Sequence, residues 1–252
     1  MFENIFSSEN MIMYFARIFM IIFILPVHEL AHGYAALKLG DDTAKQQGRI
    51  TLNPISHIHP IGSLMLLLVG FGFAKPVPVN PARFNRNISM KNGMAITAAA
   101  GPLSNLILAF LFLIIFKILS IFTFSFGNFP VGSLFNVYDI LTYQGFLAEV
   151  ASNEMLFYAM MIVGWIVLIN IMLAVFNMLP VPPLDGSRIA ALFLPQNIYF
   201  NIMRYEQYIM IGLFAVIAFT SVLSQLIGTI SKGVYFALDK ATIFVDLLAG
   251  AV

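Results

Sequence analysis

Met11-Ile12-Met13-Tyr14-Phe15-Ala16-Arg17-Ile18-Phe19-Met20-Ile21-Ile22-Phe23-Ile24-Leu25-Pro26-Val27-His28-Glu29-Leu30-Ala31-His32 is an almost unbroken apolar run that ends in three ionisable side chains. Continued to Leu37 as a helix, it is long enough to cross about 30 Å of hydrocarbon at about 1.5 Å per residue. His28 and His32 are four apart, so they share one face of that helix and both imidazoles can reach one metal ion. Glu29 stands beside them, where a carboxylate can take a proton from water that the metal activates. Ionisable groups at the end of an apolar span are expensive unless they have partners or a ligand, and burial therefore favours a zinc pair over a chance match. Pro26 predicts a kink or a loosened turn just before His28.

The whole chain fits that setting. It has 252 residues, 60% of them hydrophobic and 10% charged, with a mean hydropathy of +0.90. A soluble domain is nearer half apolar and a quarter charged, so this is the composition of an integral membrane protein. A net charge of +1 without any basic run offers nothing to a nucleic acid. Cysteine is absent, so any metal site must draw on His, Asp or Glu. The first ten residues carry Glu3 and Glu9 and no Lys or Arg, so the apolar run is expected to be a retained helix rather than a cleaved signal peptide.

The expected fold is an all-α polytopic membrane protein, one membrane-embedded domain over 1–252. It has about four transmembrane helices (five or six at most), at about 11–37, 96–120, 155–179 and 208–230. Residues 61–74 are apolar but short and punctuated by Gly62, Gly70 and Gly72, which suits a re-entrant or interfacial segment. Arg49-Ile50-Thr51-Leu52-Asn53 alternates polar with apolar residues and predicts a strand. The prolines of Lys75-Pro76-Val77-Pro78-Val79-Asn80-Pro81 exclude a helix interior and predict an extended edge strand, the second member of a small membrane-associated β-sheet. His57 and His59 lack metal spacing to the first pair and receive no role. The small residues of Ala98-Ala99-Ala100-Gly101-Pro102-Leu103-Ser104-Asn105 permit close helix packing, and Asn105 needs a polar partner inside the bundle. Asn170 and Asn177 share one face of the third span. Residues 127–154 read as a loop. After the third span, Pro180-Val181-Pro182-Pro183-Leu184-Asp185-Gly186 holds Asp185 on a stiff, extended segment.

Loop charge relates these pieces. If 61–74 dips in and returns, residues 38–93 lie on one side with Lys38, Lys45, Arg49, Lys75, Arg83, Arg86 and Lys91, opposite a 127–154 loop with no Lys or Arg. The positive-inside rule then puts the N-terminus outside and the 38–93 block in the cytosol. On that parity His28, His32, Asn105, Asn177 and Asp185 all lie toward the cytosolic side. A catalytic zinc takes three protein ligands and one open position. Asp185 has two readings here, the third ligand or the N-cap of a following helix.

At this point the chain resembles a known family. His28-Glu29-Leu30-Ala31-His32, Asn53-Pro54…Pro60-Ile61-Gly62, Gly101-Pro102-Leu103-Ser104-Asn105 and Asn177…Pro180-Val181-Pro182-Pro183-Leu184-Asp185-Gly186 look like the site-2 proteases, intramembrane zinc metalloproteases, over about residues 20–195. The resemblance implies one zinc held by His28, His32 and Asp185, with Glu29 as general base. It implies that Asn177 assists as a catalytic residue at substrate or oxyanion, and Asn105 is a candidate substrate-binding residue. It departs from the pattern where His59 replaces a frequent aspartate, and it matches compact members that have neither a peptide-binding domain in the 127–154 loop nor a nucleotide-sensing domain.

The implied reaction is hydrolysis of peptide bonds in or near transmembrane segments. The expected partners are a transmembrane protein or peptide substrate, the lipid bilayer, and a second copy or a regulatory membrane protein, with no nucleic acid. A bacterial plasma membrane is the expected location. The rival classes are a divalent-metal transporter, which has no use for Glu29 as a base, and a catalytically silent membrane scaffold.

Overall fold

The computed structural model describes residues 8–69, 72–124, 136–151 and 153–248. The opening residues read above as uncleaved, and the first part of the 127–154 loop, therefore lie outside the described residues. Helix α1 (Ser8–Phe19) passes through a π-helical turn, Met20–Ile24, into α2 (Leu25–Lys38). Pro26 has no N–H for the Ile22 carbonyl, and its ring crowds that carbonyl, so the turn widens where the sequence predicts a loosened one. Met11–Lys38 is long and apolar enough to cross a membrane, as are Met90–Phe124 and Glu154–Asn177. These match the first three expected spans.

Between the first two spans come the short helix α3 (Thr43–Gln46) and α4 (Pro60–Val69), followed by α5 (Met90–Phe124). Past α4 the chain comes back to where it entered. The Phe73 ring lies 4.7 Å from that of His59, centroid to centroid, and the Lys75 N–H donates to the His57 carbonyl at 2.8 Å. His59 Nδ1 accepts from the Gly62 N–H at 3.2 Å, at the start of α4, and His57 Nε2 lies 2.8 Å from the Thr51 carbonyl. Both histidines thus serve loop structure.

The expected sheet is absent: no strand occurs among the described residues. The reason is where the backbone groups go. The Lys75 carbonyl accepts from the Arg49 guanidinium at 2.7 Å, the Val77 N–H donates to Glu29 at 2.8 Å, and the Asn80 N–H to the buried Asp41 carboxylate at 2.6 Å. Residues 75–80 are an extended strap tied to side chains, with no ladder partner.

Helices α6 (Val137–Thr142) and α7 (Gln144–Val150) lie within the stretch expected to be loop, and α8 (Glu154–Asn177) is the third span. Asn136 and Asp139 form a reciprocal cap that starts α6. Then come α9 (Asp185–Ala190), α10 (Gln196–Arg204), α11 (Glu206–Phe219), α12 (Val222–Ala241) and α13 (Ile243–Leu248). The single span expected at 208–230 is a pair of helices bent by 84°. Thr220 adopts an extended backbone that ends α11, while its N–H and its hydroxyl both bond back to the Val216 carbonyl, at 3.0 and 2.7 Å. Among the described residues the chain is all-helical, with three helices long and apolar enough to span a membrane, or four if the bent pair crosses as one.

The chain divides into two compact units. One, from Met1–Met20, Ile107–Ile171 and Lys232–Val252, has Leu113, Phe116, Val137, Phe157 and Tyr235 in its interior. It also encloses Lys117, which lies 3.0 Å from Asp239 and 2.6 Å from Asp246. The other, from Ile21–Leu106 and Met172–Ser231, contains all the residues discussed next.

Candidate metal centre

His28 and His32 follow the widened turn on one face of α2, and their Nε2 atoms lie 3.0 Å apart. Asp185 opens α9, and its Oδ2 is 3.4 Å from His28 Nε2 and 3.3 Å from His32 Nε2. All three ligand atoms lie within 4.8 Å of one another. Two atoms bound at about 2.0–2.1 Å to one tetrahedral zinc lie roughly 3.3 Å apart, so the spacing fits that ion. The donor set fits too: two imidazole nitrogens and a carboxylate suit zinc without cysteine. Asp185 Oδ2 is buried and without a hydrogen-bond donor among the described residues, and α9 has no side-chain cap. Of the two readings of Asp185, the geometry favours the ligand.

Neighbouring groups orient this trio. His32 Nδ1 lies 2.7 Å from the Thr97 carbonyl on α5; donating there leaves Nε2 unprotonated and turned toward the other ligands. Gly101, one turn further along α5, lies against both imidazoles. A Cβ there would collide with His32 Nε2 and Cε1 and with His28 Cε1, so only glycine lets α5 approach. Small-residue packing was legible in the sequence; that it makes room for the imidazoles was not.

Glu29 is 8% exposed, and its Oε2 accepts the Val77 N–H of the strap. Neither the Val77 contact with Glu29 nor the Thr97 contact with His32 was read from the sequence, because each uses a backbone group, which carries no residue-type signal. Asn177 uses its Nδ2 on the Leu173 carbonyl at 3.0 Å. Asn105 is fully buried, and neither its amide nitrogen nor its oxygen has a partner among the described residues. No contact of Asn105 or Asn177 with the His28–His32–Asp185 trio occurs among the described hydrogen bonds.

Helices long and apolar enough to span a membrane, with two histidines and a carboxylate placed so that they could hold one metal ion and a glutamate next to the first histidine, are the features of a membrane-embedded metallopeptidase. Residues 16–223 match the profile of Peptidase family M50, and the chain belongs to that family, the site-2 proteases. It is 38% identical over 182 residues to the "Putative zinc metalloprotease YwhC" of Bacillus subtilis (strain 168), covering 72% of this chain and 70% of that protein. It is 33% identical over 94 residues to the "Putative zinc metalloprotease Rip2" of Mycolicibacterium smegmatis, covering 35% of each. No solved structure matches the chain. The molecule is an intramembrane zinc metalloprotease.

Proposed function

We propose that His28, His32 and Asp185 hold one zinc ion, that Glu29 is the general base, and that the enzyme hydrolyses peptide bonds in or beside transmembrane segments of membrane proteins. The observation that carries this is the convergence of three ligand atoms from two separate elements on one point beside Glu29. Zinc bound there supplies a Lewis acid and brings the pKa of water from about 15.7 to about 7. Glu29 takes the proton from the attacking water and passes it to the leaving nitrogen. The Val77 N–H holds one carboxylate oxygen and leaves the other for that transfer.

Asn177 is the candidate oxyanion donor. One of its two N–H groups is used on Leu173, and the second remains for the substrate; such a donor is typically worth about 3–4 kcal/mol. For Asn105 two roles compete, substrate contact and support of the metal centre. A transmembrane substrate must unwind before its amides are accessible, and unwound backbone in hydrocarbon needs hydrogen-bond partners. The extended strap at 75–80 is the segment beside Glu29 that can receive such a stretch by strand addition, through the backbone groups its own contacts leave over. We further infer that the site opens toward the cytosol of a bacterial cell, because the 38–93 block carries seven Lys and Arg residues.

The decisive experiment compares wild type with Glu29→Gln, each purified in detergent, assayed for bound zinc and incubated with a single-span substrate. About one zinc in both, with cleavage by wild type alone, is the expected result. Absence of zinc from both after reconstitution overturns the proposed site.

A further inference from the structure

The two histidines of the metal centre are supported unequally. His32 has the Thr97 carbonyl on its Nδ1. His28 is 5% exposed, yet its Nδ1 is buried with no hydrogen-bond partner among the described residues. A ligating imidazole almost always gives its second N–H to a carboxylate, a carbonyl or a water, which fixes its tautomer and its angle. A second orphan belongs to the same unit: both polar atoms of the Asn105 side chain, which is fully buried.

Helix register relates the two orphans. Thr97 on α5 meets His32 on α2. Gly101, four residues on, meets both His32 and His28. Each turn forward along α5 therefore moves backward along α2. Asn105 is the next residue on that face of α5, one turn past Gly101 and on the His28 side of the contact. The His28 atom that Gly101 meets is Cε1, which is bonded to Nδ1, so the orphan nitrogen lies one bond from this helix contact.

We propose that the Asn105 side-chain oxygen supports the His28 Nδ1–H through one bridging water, as the Thr97 carbonyl supports His32 directly. A water between them has two polar partners, the His28 Nδ1–H and the Asn105 oxygen, within the two to four that a buried water makes. Asn105 is then a positioning residue that acts on the metal centre through His28 and does not touch substrate. The proposal rests on His28 being a zinc ligand.

The test measures zinc affinity by chelator competition, together with kcat and KM on a single-span substrate, for wild type, Asn105→Leu and Asn105→Asp. Loss of such a support typically weakens metal binding by about 10- to 100-fold. The leucine variant is expected to show that loss at unchanged KM, together with a lower zinc-free melting temperature than wild type, because the buried His28 Nδ1–H loses its acceptor. The aspartate variant keeps an acceptor and is expected to recover most of the affinity. Wild-type zinc affinity in the leucine variant overturns the proposal, and if KM has risen as well, Asn105 contacts substrate instead. Should the leucine variant fail to fold, Asn105→Ser, whose short side chain cannot hold the same water, is read in its place by the same criteria. Zinc missing from the wild type itself overturns the metal-centre reading beneath the proposal, and only that result appears without any substitution.

Discussion

The Val77 amide is the clearest case of a single group whose job depends on position alone. Its N–H donates to Glu29 Oε2 at 2.8 Å in a buried setting, and a hydrogen bond to a charged group contributes about 1.5–3 kcal/mol. Val77→Pro removes the donor while suiting an extended segment already bounded by Pro76 and Pro78. Steady-state assays are expected to show kcat lower by about 10- to 100-fold with bound zinc unchanged, while Val77→Ala, which keeps the N–H, behaves as wild type. An unchanged kcat in the proline variant would show that Glu29 is held by other means. At this scale the grouping of His28, Glu29 and His32 was legible, because they lie within one and a half turns of a helix, where spacing alone sets the geometry. The Val77 and Thr97 contacts were not, since the groups they use belong to every residue type.

Among the elements, the second span holds a cation that apolar composition hides. Lys117 is 5% exposed and is paired with Asp239 and Asp246, more than a hundred residues later in the chain. Removing one partner of a buried pair leaves uncompensated charge and typically costs about 3–5 kcal/mol. Lys117→Met is therefore expected to lower the unfolding free energy by about that much, read by denaturant titration in detergent. Bound zinc should stay at the wild-type level, since Lys117 belongs to the unit that does not contain the metal centre. Loss of zinc at unchanged stability would contradict both parts. The first three spans were readable because long apolar runs have few alternatives. The break at Thr220, where the backbone turns extended, and the missing sheet were not; in the strap, side chains of Arg49, Glu29 and Asp41 took up backbone groups that the residue pattern assigned to a ladder.

For the whole molecule, orientation is the open quantity, and the cysteine-free chain offers a direct assay. Single cysteines replacing the exposed residues Arg86 and Thr142 report opposite sides if the parity holds. In intact cells an impermeant maleimide is expected to label Thr142→Cys at once and Arg86→Cys only after permeabilisation; the reverse pattern would turn the site away from the cytosol. The amino-acid sequence by itself determined the membrane setting, the three long helices and the pairing of His28 with His32 on one helix face, because hydropathy and helical period are properties of residues and their spacing. Only the tertiary structure decided that Asp185 faces the two imidazoles, that Gly101 admits them to α5, and that a strap without strand partners holds Glu29. Those contacts join segments 48 to 157 residues apart (Glu29 with Val77, His28 with Asp185). Which of the available polar groups meets which is settled by how the helices pack, and local pattern carries no record of it.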